Sequence, residues 1–202
     1  MNKDLSKRLY YFSMFDGCLQ RRSKGQNAYL IVNMLEENAD YIERVRQTLE
    51  EVPLGCLITR PPIYTKDGYN RKQQLRLASK SHPFLTKIHE RMYIDRCKVL
   101  DPHMLTLLDP EALAIAFMAD GSRSLDKRWK NARPAYRLHT DNWSYGDNLL
   151  FKKALKEEFE LEFNIHKKGS KYNLGLRTED SELFEAYVDP YILPSFRYKL
   201  GQ

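Results

Sequence analysis

The sequence predicts an α+β fold written twice, and three observations carry that expectation. Residues 9–17, LYYFSMFDG, and residues 113–121, LAIAFMADG, each climb an apolar run and end in Asp-Gly. Their carboxylates, Asp16 and Asp120, stand about half the chain apart in a protein of 202 residues. After each Asp-Gly, segments with strand alternation and segments with helical spacing then follow in the same order.

In the first half, residues 18–24 and 28–35 flank the turn-forming run KGQN and read as a hairpin. Tyr41, Ile42, Val45, Leu49 and Val52 recur at helical spacing and make an amphipathic helix behind it. A second hairpin is expected from 55–60 and 71–78, joined by a long polar loop around Asp67-Gly68. Phe84, Leu85, Ile88 and Met92 mark the closing helix.

Residues 99–110 connect the halves, with Asp109 or Pro110 opening the second acidic helix. A basic loop follows Gly121, then a strand over 133–140 and a helix marked by Leu149, Leu150, Ala154, Leu155 and Phe159. Strands over 162–166 and 171–177 and a helix around Leu183, Phe184, Tyr187 and Val188, stopped by Pro190, complete the repeat. The expected halves are residues 1–97 and 98–202, each αββαββα.

Composition narrows the partners. A hydrophobic content of 42% is enough for a core, and 33 Lys plus Arg against 27 Asp plus Glu leave a net charge of +6. That modest excess favours a polyanionic partner. Cys18, Cys56 and Cys97 are odd in number and lack C-x-x-C spacing, as in a reduced intracellular protein. Lys3, Lys7 and Arg8 before an apolar run imitate an export signal, but Asp16 follows with no small-residue cleavage site. No stretch is long enough to span a bilayer, so a soluble protein with no membrane partner is expected.

The strands alternate as they would with one face on a core and the other on a ligand. Lys72, Gln74 and Arg76 interleave with Gln73, Leu75 and Leu77; Arg133, Arg137 and His139 interleave with Tyr136 and Leu138. Asn164, His166 and Lys168 oppose Phe163 and Ile165, and Lys171, Asn173 and Arg177 oppose Tyr172, Leu174 and Leu176. The outward set is rich in the side chains that read base edges and bind phosphates. An ordinary solvated sheet face is the alternative for any single strand, and recurrence in both halves weighs against it.

These residues resemble the LAGLIDADG homing endonucleases, in the branch with two motifs in one chain. The second half carries most of the likeness, through LAIAFMADGSRS, RLHTDNWSYGDNLLFKKALKEEFELEFNIHKK and YVDPYILPSFRYKL. The first half contributes FDGCLQRRSKGQNAYL, Tyr41-Ile42 and SHPFLTKIHERMY. The resemblance implies a saddle of two pseudo-symmetric halves, with the acidic helices at the central interface and the antiparallel sheets as the DNA-binding surface.

The resemblance also implies a site. Asp16 and Asp120, with the adjoining Gly17 and Gly121, would hold Mg²⁺ or Mn²⁺, which suits hydrolysis of two phosphodiesters on opposite strands. A helix-terminal residue before a C-cap glycine is the alternative for each Asp, although a carboxylate is unfavourable at a helix C-terminus. Lys171 matches a basic residue near the scissile phosphate. Lys80 is its candidate counterpart in the first half, with Lys72 the fallback. Groove or phosphate contacts would come from Gln20, Arg21, Arg22, Lys24, Lys72, Gln74, Arg76, Arg123, Arg133, Arg137, His139, His166, Lys168, Asn173 and Arg177.

There are departures from the family pattern. Phe15 stands where a small residue usually precedes the Asp, and Met34 and Asp141 stand where the family often has water-ordering glutamines. His82 and His89 show no zinc-site spacing and read as capping or surface residues. Trp143 and Trp129 read as core or loop anchors. The function expected is a monomeric, metal-dependent endonuclease cutting double-stranded DNA at a long site, encoded by an intron or other mobile element. An RNA maturase acting on a group I intron is the alternative, and a DNA-binding regulator without cleavage is a third reading.

Overall fold

The computed structural model describes residues 3–23, 25–52, 58–63, 73–126 and 133–202. The expected hairpin and basic-loop segments that include Lys24, Cys56, Lys72 and Trp129 lie outside the described residues at those positions. The chain divides into two compact units, Met1–Tyr93 with Leu193–Ser195, and Ile94–Ile192 with Phe196–Gln202.

The first unit runs α1 (Lys3–Met14), β1 (Gly17–Gln20), β2 (Tyr29–Leu35), α2 (Ala39–Glu50), β3 (Ile58–Ile63), β4 (Gln74–Ala78) and α3 (Pro83–Met92). Its four strands form an antiparallel sheet in the order β1-β2-β4-β3. Gly17, Val32 and Leu77 share one row across three of the strands. Leu30, Val32, Met34 and Leu77 are buried on one face, while Asn33 and Gln74 are exposed on the other, as strand periodicity requires.

Aromatic residues of α1 fill this core. Phe12 meets Tyr41 of α2 edge-to-face at 5.4 Å, and the buried Phe15 stacks on Tyr11 at 6.4 Å. The residue before Asp16 thus lies against a ring one turn earlier. His82 caps α3 as expected, its Nδ1 accepting from the Phe84 N–H at 3.1 Å, with Pro83 at the first helical position. Within this unit the Asp40 carboxylate accepts from both the Ser195 N–H, at 3.0 Å, and its hydroxyl, at 2.5 Å.

A tight hairpin follows, β5 (Tyr93–Ile94) and β6 (Cys97–Lys98), turned at Asp95 and Arg96 with φ of 48° and 67°. The second unit then repeats the first. After α4 (Pro102–Leu105) come α5 (Pro110–Asp120), β7 (Gly121–Asp126), β8 (Arg133–Leu138), α6 (Tyr145–Phe159), β9 (Phe163–Lys168), β10 (Lys171–Leu176) and α7 (Ser181–Val188). The strand order is β7-β8-β10-β9, the same permutation as in the first unit.

Local chemistry fixes the helix ends of the second unit. Asp109 accepts from the Ala112 N–H at 2.9 Å and Pro110 opens α5. Ser144 and Asp147 form a capping box at the start of α6. The core gathers Phe117, Tyr136 and Phe184, whose rings lie 4.9–5.5 Å apart, and Trp143 packs on Phe151 at 5.4 Å.

One face is corrected. Leu149 and Leu150, expected to mark the buried stripe of α6, are 49% and 41% exposed, and Leu183 of α7 is 40% exposed. The stripe is Asn148, Phe151, Leu155 and Phe159. Asn148 can lie inside because its amide donates to the Ser144 carbonyl at 2.9 Å and its Oδ1 accepts from the Thr140 hydroxyl.

Candidate functional site

Each Asp-Gly marks a helix running into the first strand of a sheet with almost no loop between. A Cβ on Gly121 would fall 2.1 Å from Phe117 Cδ2 and 2.3 Å from its carbonyl oxygen; one on Gly17 would fall 2.6 Å from the Phe12 carbonyl oxygen. Glycine is required because the strand leaves across the last helical turn. The two junctions differ in detail. Asp120 is the last residue of α5, whereas α1 ends at Met14 and Asp16 lies in the following turn.

At α5 the four terminal carbonyls, which a helix leaves without intrahelical donors, are all met. The Gly121 N–H returns to Phe117 O. Lys199 Nζ donates to Met118 O at 2.6 Å, and reaches Phe117 O and Ala119 O at 3.3 and 3.4 Å. The His139 N–H donates to Asp120 O at 2.7 Å. A lysine here also opposes the negative end of the helix dipole.

The backbone at Asp120 is therefore held in place. Burial pushes its carboxyl above the ordinary range, and the nearby charges of Lys199, Lys98 and His139 pull it partly back, against Asp141. His139 Nε2 lies 2.8 Å from Ser122 Oγ, and its Nδ1 lies 3.8 Å from the Asp141 carboxylate. In the first unit the Asp16 Oδ2 is likewise shielded from solvent.

The lysines acting on Asp120 are Lys199 and Lys98, neither of which the sequence singles out. The expected Lys171 opens β10, opposite Lys168. Register also corrects its counterpart. Gly121, Leu138 and Leu174 share a row as Gly17, Val32 and Leu77 do, so Lys171 corresponds to Gln74. Lys80 lies beyond the Gly17 row in the direction β1 takes away from Asp16, with Ser79 bonded to its carbonyl. Met34 is turned to the core, and Asn33 is the outward polar residue beside it. Asp141 lies beyond β8, against His139.

Most of the residues expected to face a ligand on the second sheet are exposed. Arg133, Arg137 and His139 are exposed along one side of β8 and its extension, with His166 and Lys168 exposed on β9 and Arg177 just past β10. Two positions differ. Asn173 is only 5% exposed; it pairs with His166, whose ring is folded over the neighbouring Gly175. Arg123 pairs with Tyr136 and therefore lies on the helix side of β7, away from Arg133 and Arg137.

In the first unit Gln20 accepts from the Tyr29 hydroxyl at 3.0 Å, and the Arg22 guanidinium stands 6.0 Å from the Tyr29 ring. Arg21 donates to Gln26 O at 2.8 Å and pairs with Glu90 at 3.2 Å. Gln74 and Arg76 share the outer face of β4, Arg76 standing between Asn33 and Arg60 in register.

A repeated αββαββα chain with an acidic helix end feeding each antiparallel sheet defines the class, and sequence comparison gives the family. Residues 14–184 match the LAGLIDADG DNA endonuclease family, and the chain belongs to it. It is 22% identical over 205 residues to cytochrome b mRNA maturase bI2 of Debaryomyces hansenii, covering 100% of this chain and 75% of that protein. It is 25% identical over 179 residues to probable intron-encoded endonuclease 1 of Wickerhamomyces canadensis, covering 87% and 75%. The solved homing endonuclease I-WcaI, bound to its DNA recognition sequence, shares the fold with a TM-score of 0.82 at 22% identity, over 98% of this chain and 86% of that one. No helix among the described residues is long and apolar enough to cross a membrane.

Proposed function

We infer that this chain is a homing endonuclease that hydrolyses both strands of a long DNA site, as a monomer carrying one centre in each unit. The observation that carries this reading is the Asp120 junction. A carboxylate is kept at a helix C-terminus despite burial, and Lys199 and Lys98 act on it. A protein that only binds nucleic acid has no need for a carboxylate there.

The donor set fits the divalent metal on which endonucleases of this family depend. Among the described residues no group of three or more His, Cys, Asp or Glu side chains converges. A hard cation such as Mg²⁺ suits that arrangement, because it retains water and takes ligands from substrate phosphates in addition to one or two carboxylates. In the second unit Asp120 with the backbone at Gly121 would hold one such ion, and in the first unit Asp16 with the backbone at Gly17 would hold another. When bound, such an ion lowers the pKa of the attacking water and offsets charge on the leaving oxygen.

The protein's own groups do the remaining work. Lys199 and Lys98 favour the ionised form of Asp120 against its burial, and place positive potential where the phosphate gains charge in the transition state. Arg133, Arg137, His166, Lys168 and Arg177 meet the duplex on the second sheet. Gln20, Arg22, Gln74 and Arg76 do so on the first. In this reading Lys171 serves near the scissile phosphate of the second unit, and Lys80 is a DNA contact at the sheet end.

A second activity, assistance to intron RNA, is favoured by one observation: the likeness to a cytochrome b mRNA maturase runs over the whole chain. Incubating the protein with a randomised-site plasmid library and Mg²⁺, then sequencing new ends, separates the two. Staggered cuts at one long site establish the nuclease. Absence of cuts with adequate coverage, together with stimulated splicing of a group I intron, would transfer the function to RNA.

A further inference from the structure

We propose that Arg123 is a positioning residue for Lys199, acting through Gly201. The inference rests on the reading that Lys199 serves the Asp120 centre. Arg123 lies three residues beyond Asp120, on the strand that leaves the acidic helix. Its guanidinium is packed on Gly201: a Cβ there would fall 2.7 Å from Cζ, 2.8 Å from Nη1 and 3.0 Å from Nη2. Gly201 has φ +80°, a conformation costly to any residue with a side chain.

Across the strands Arg123 stands opposite Tyr136, on whose hydroxyl its charge acts; that hydroxyl donates to Glu185 at 2.6 Å, and Tyr136 is buried against Phe117 and Phe184. A run of neighbours thus extends from α7 through β8 and β7 to the backbone two residues after Lys199. Phe196 and Leu200 are buried on either side of that lysine, and the Gly201 N–H closes on Tyr198 O at 3.0 Å. The tail is fixed at both ends of a short stretch, and the Lys199 ammonium is delivered to the carbonyls that end α5. The basic residue expected to touch DNA instead acts from behind the sheet.

The test compares Arg123→Ala, Gly201→Ala and Lys199→Met, with Ser144→Ala as a variant that loses only the α6 capping box. Two readouts are needed. Reductive methylation followed by mass spectrometry reports how accessible Lys199 is, without DNA or metal. Strand-resolved single-turnover cleavage of the selected target reports each centre, the strand cut by Asp120 being identified with Asp120→Asn.

In the native protein Lys199 should methylate far more slowly than the exposed Lys153. Arg123→Ala and Gly201→Ala should each raise Lys199 methylation about tenfold and slow the Asp120 strand about tenfold, with the other strand unchanged. Neither should slow it further when Lys199 is already Met. Ser144→Ala should alter neither readout.

If Lys199→Met cuts both strands at the native rate, the reading of Lys199 fails. If Lys199→Met is strand-selective while Arg123→Ala and Gly201→Ala keep Lys199 protected and cut normally, the positioning role is overturned. It is equally overturned if those two variants slow both strands alike with a lowered Tm, which marks a structural contact.

Discussion

Gly121 lies so close to Phe117 that a methyl group added to it would meet the ring at 2.1 Å and the carbonyl oxygen at 2.3 Å. The ring is completely buried and packs against Tyr136 and Phe184, so it cannot retreat. Overfilling such a site costs about 1–3 kcal/mol. Gly121→Ala should therefore lower Tm by roughly 2–12 °C for a chain of this size. Calorimetry of the variant checks this, and an unchanged Tm would mean that the strand does not leave the helix as described.

Asp120 gives a prediction with the opposite sign. Burial raises its carboxyl above the ordinary value of 3.8, so the ionised form is the one the fold disfavours. A raised folded-state pKa contributes stability below the unfolded value and loses it as pH rises through the folded one. Asp120→Asn should consequently be more stable than the native protein at neutral pH without divalent metal, and the advantage should vanish below pH 3.8. Thermal melts of both proteins across that range would show it; a native protein more stable at pH 7 would contradict it.

DNA affinity should separate the two faces of β7 and β8. Arg137→Ala removes an exposed side chain on the ligand face and should weaken target binding by about 1–3 kcal/mol, lowering the salt slope by about one. Arg123→Ala, on the helix face, should leave equilibrium affinity near the native value. Titrations at several salt concentrations compare them, and equal losses would return Arg123 to the interface.

The reassigned face of α6 is tested by stability alone. Phe151 is fully buried against Trp143, so Phe151→Ala should cost about 3–5 kcal/mol. Leu149, 49% exposed, should cost less than about 1 kcal/mol when changed to Ala. Urea denaturation of the two variants measures the difference. Similar losses would restore the stripe first read from the sequence.

The repeat was legible in the sequence because its physical causes are local. Alternating strands, Asp109-Pro110 at a helix start and Asp-Gly at a close helix-to-strand junction each leave a mark within a few residues. The face of Arg123 is legible from Gly121: a glycine pressed on the helix puts the residue two further along the strand on the same side. Lys98 and Lys199 were not legible as partners of Asp120. One comes from a short hairpin and the other from the chain's final turn, and only folding brings them together. The α6 stripe was misread for a related reason, since Asn148 becomes a core residue only through Thr140 and Ser144.

The most direct test of the central claim is strand-resolved cleavage of a supercoiled plasmid carrying the selected target, with Asp16→Asn, Asp120→Asn and the double variant in Mg²⁺. Each single variant should nick, and the two should nick opposite strands. The double variant should bind the site without cutting. A single variant that still cuts both strands at the native rate, or a native protein that binds the target tightly and leaves it whole, would contradict an endonuclease with one centre in each unit.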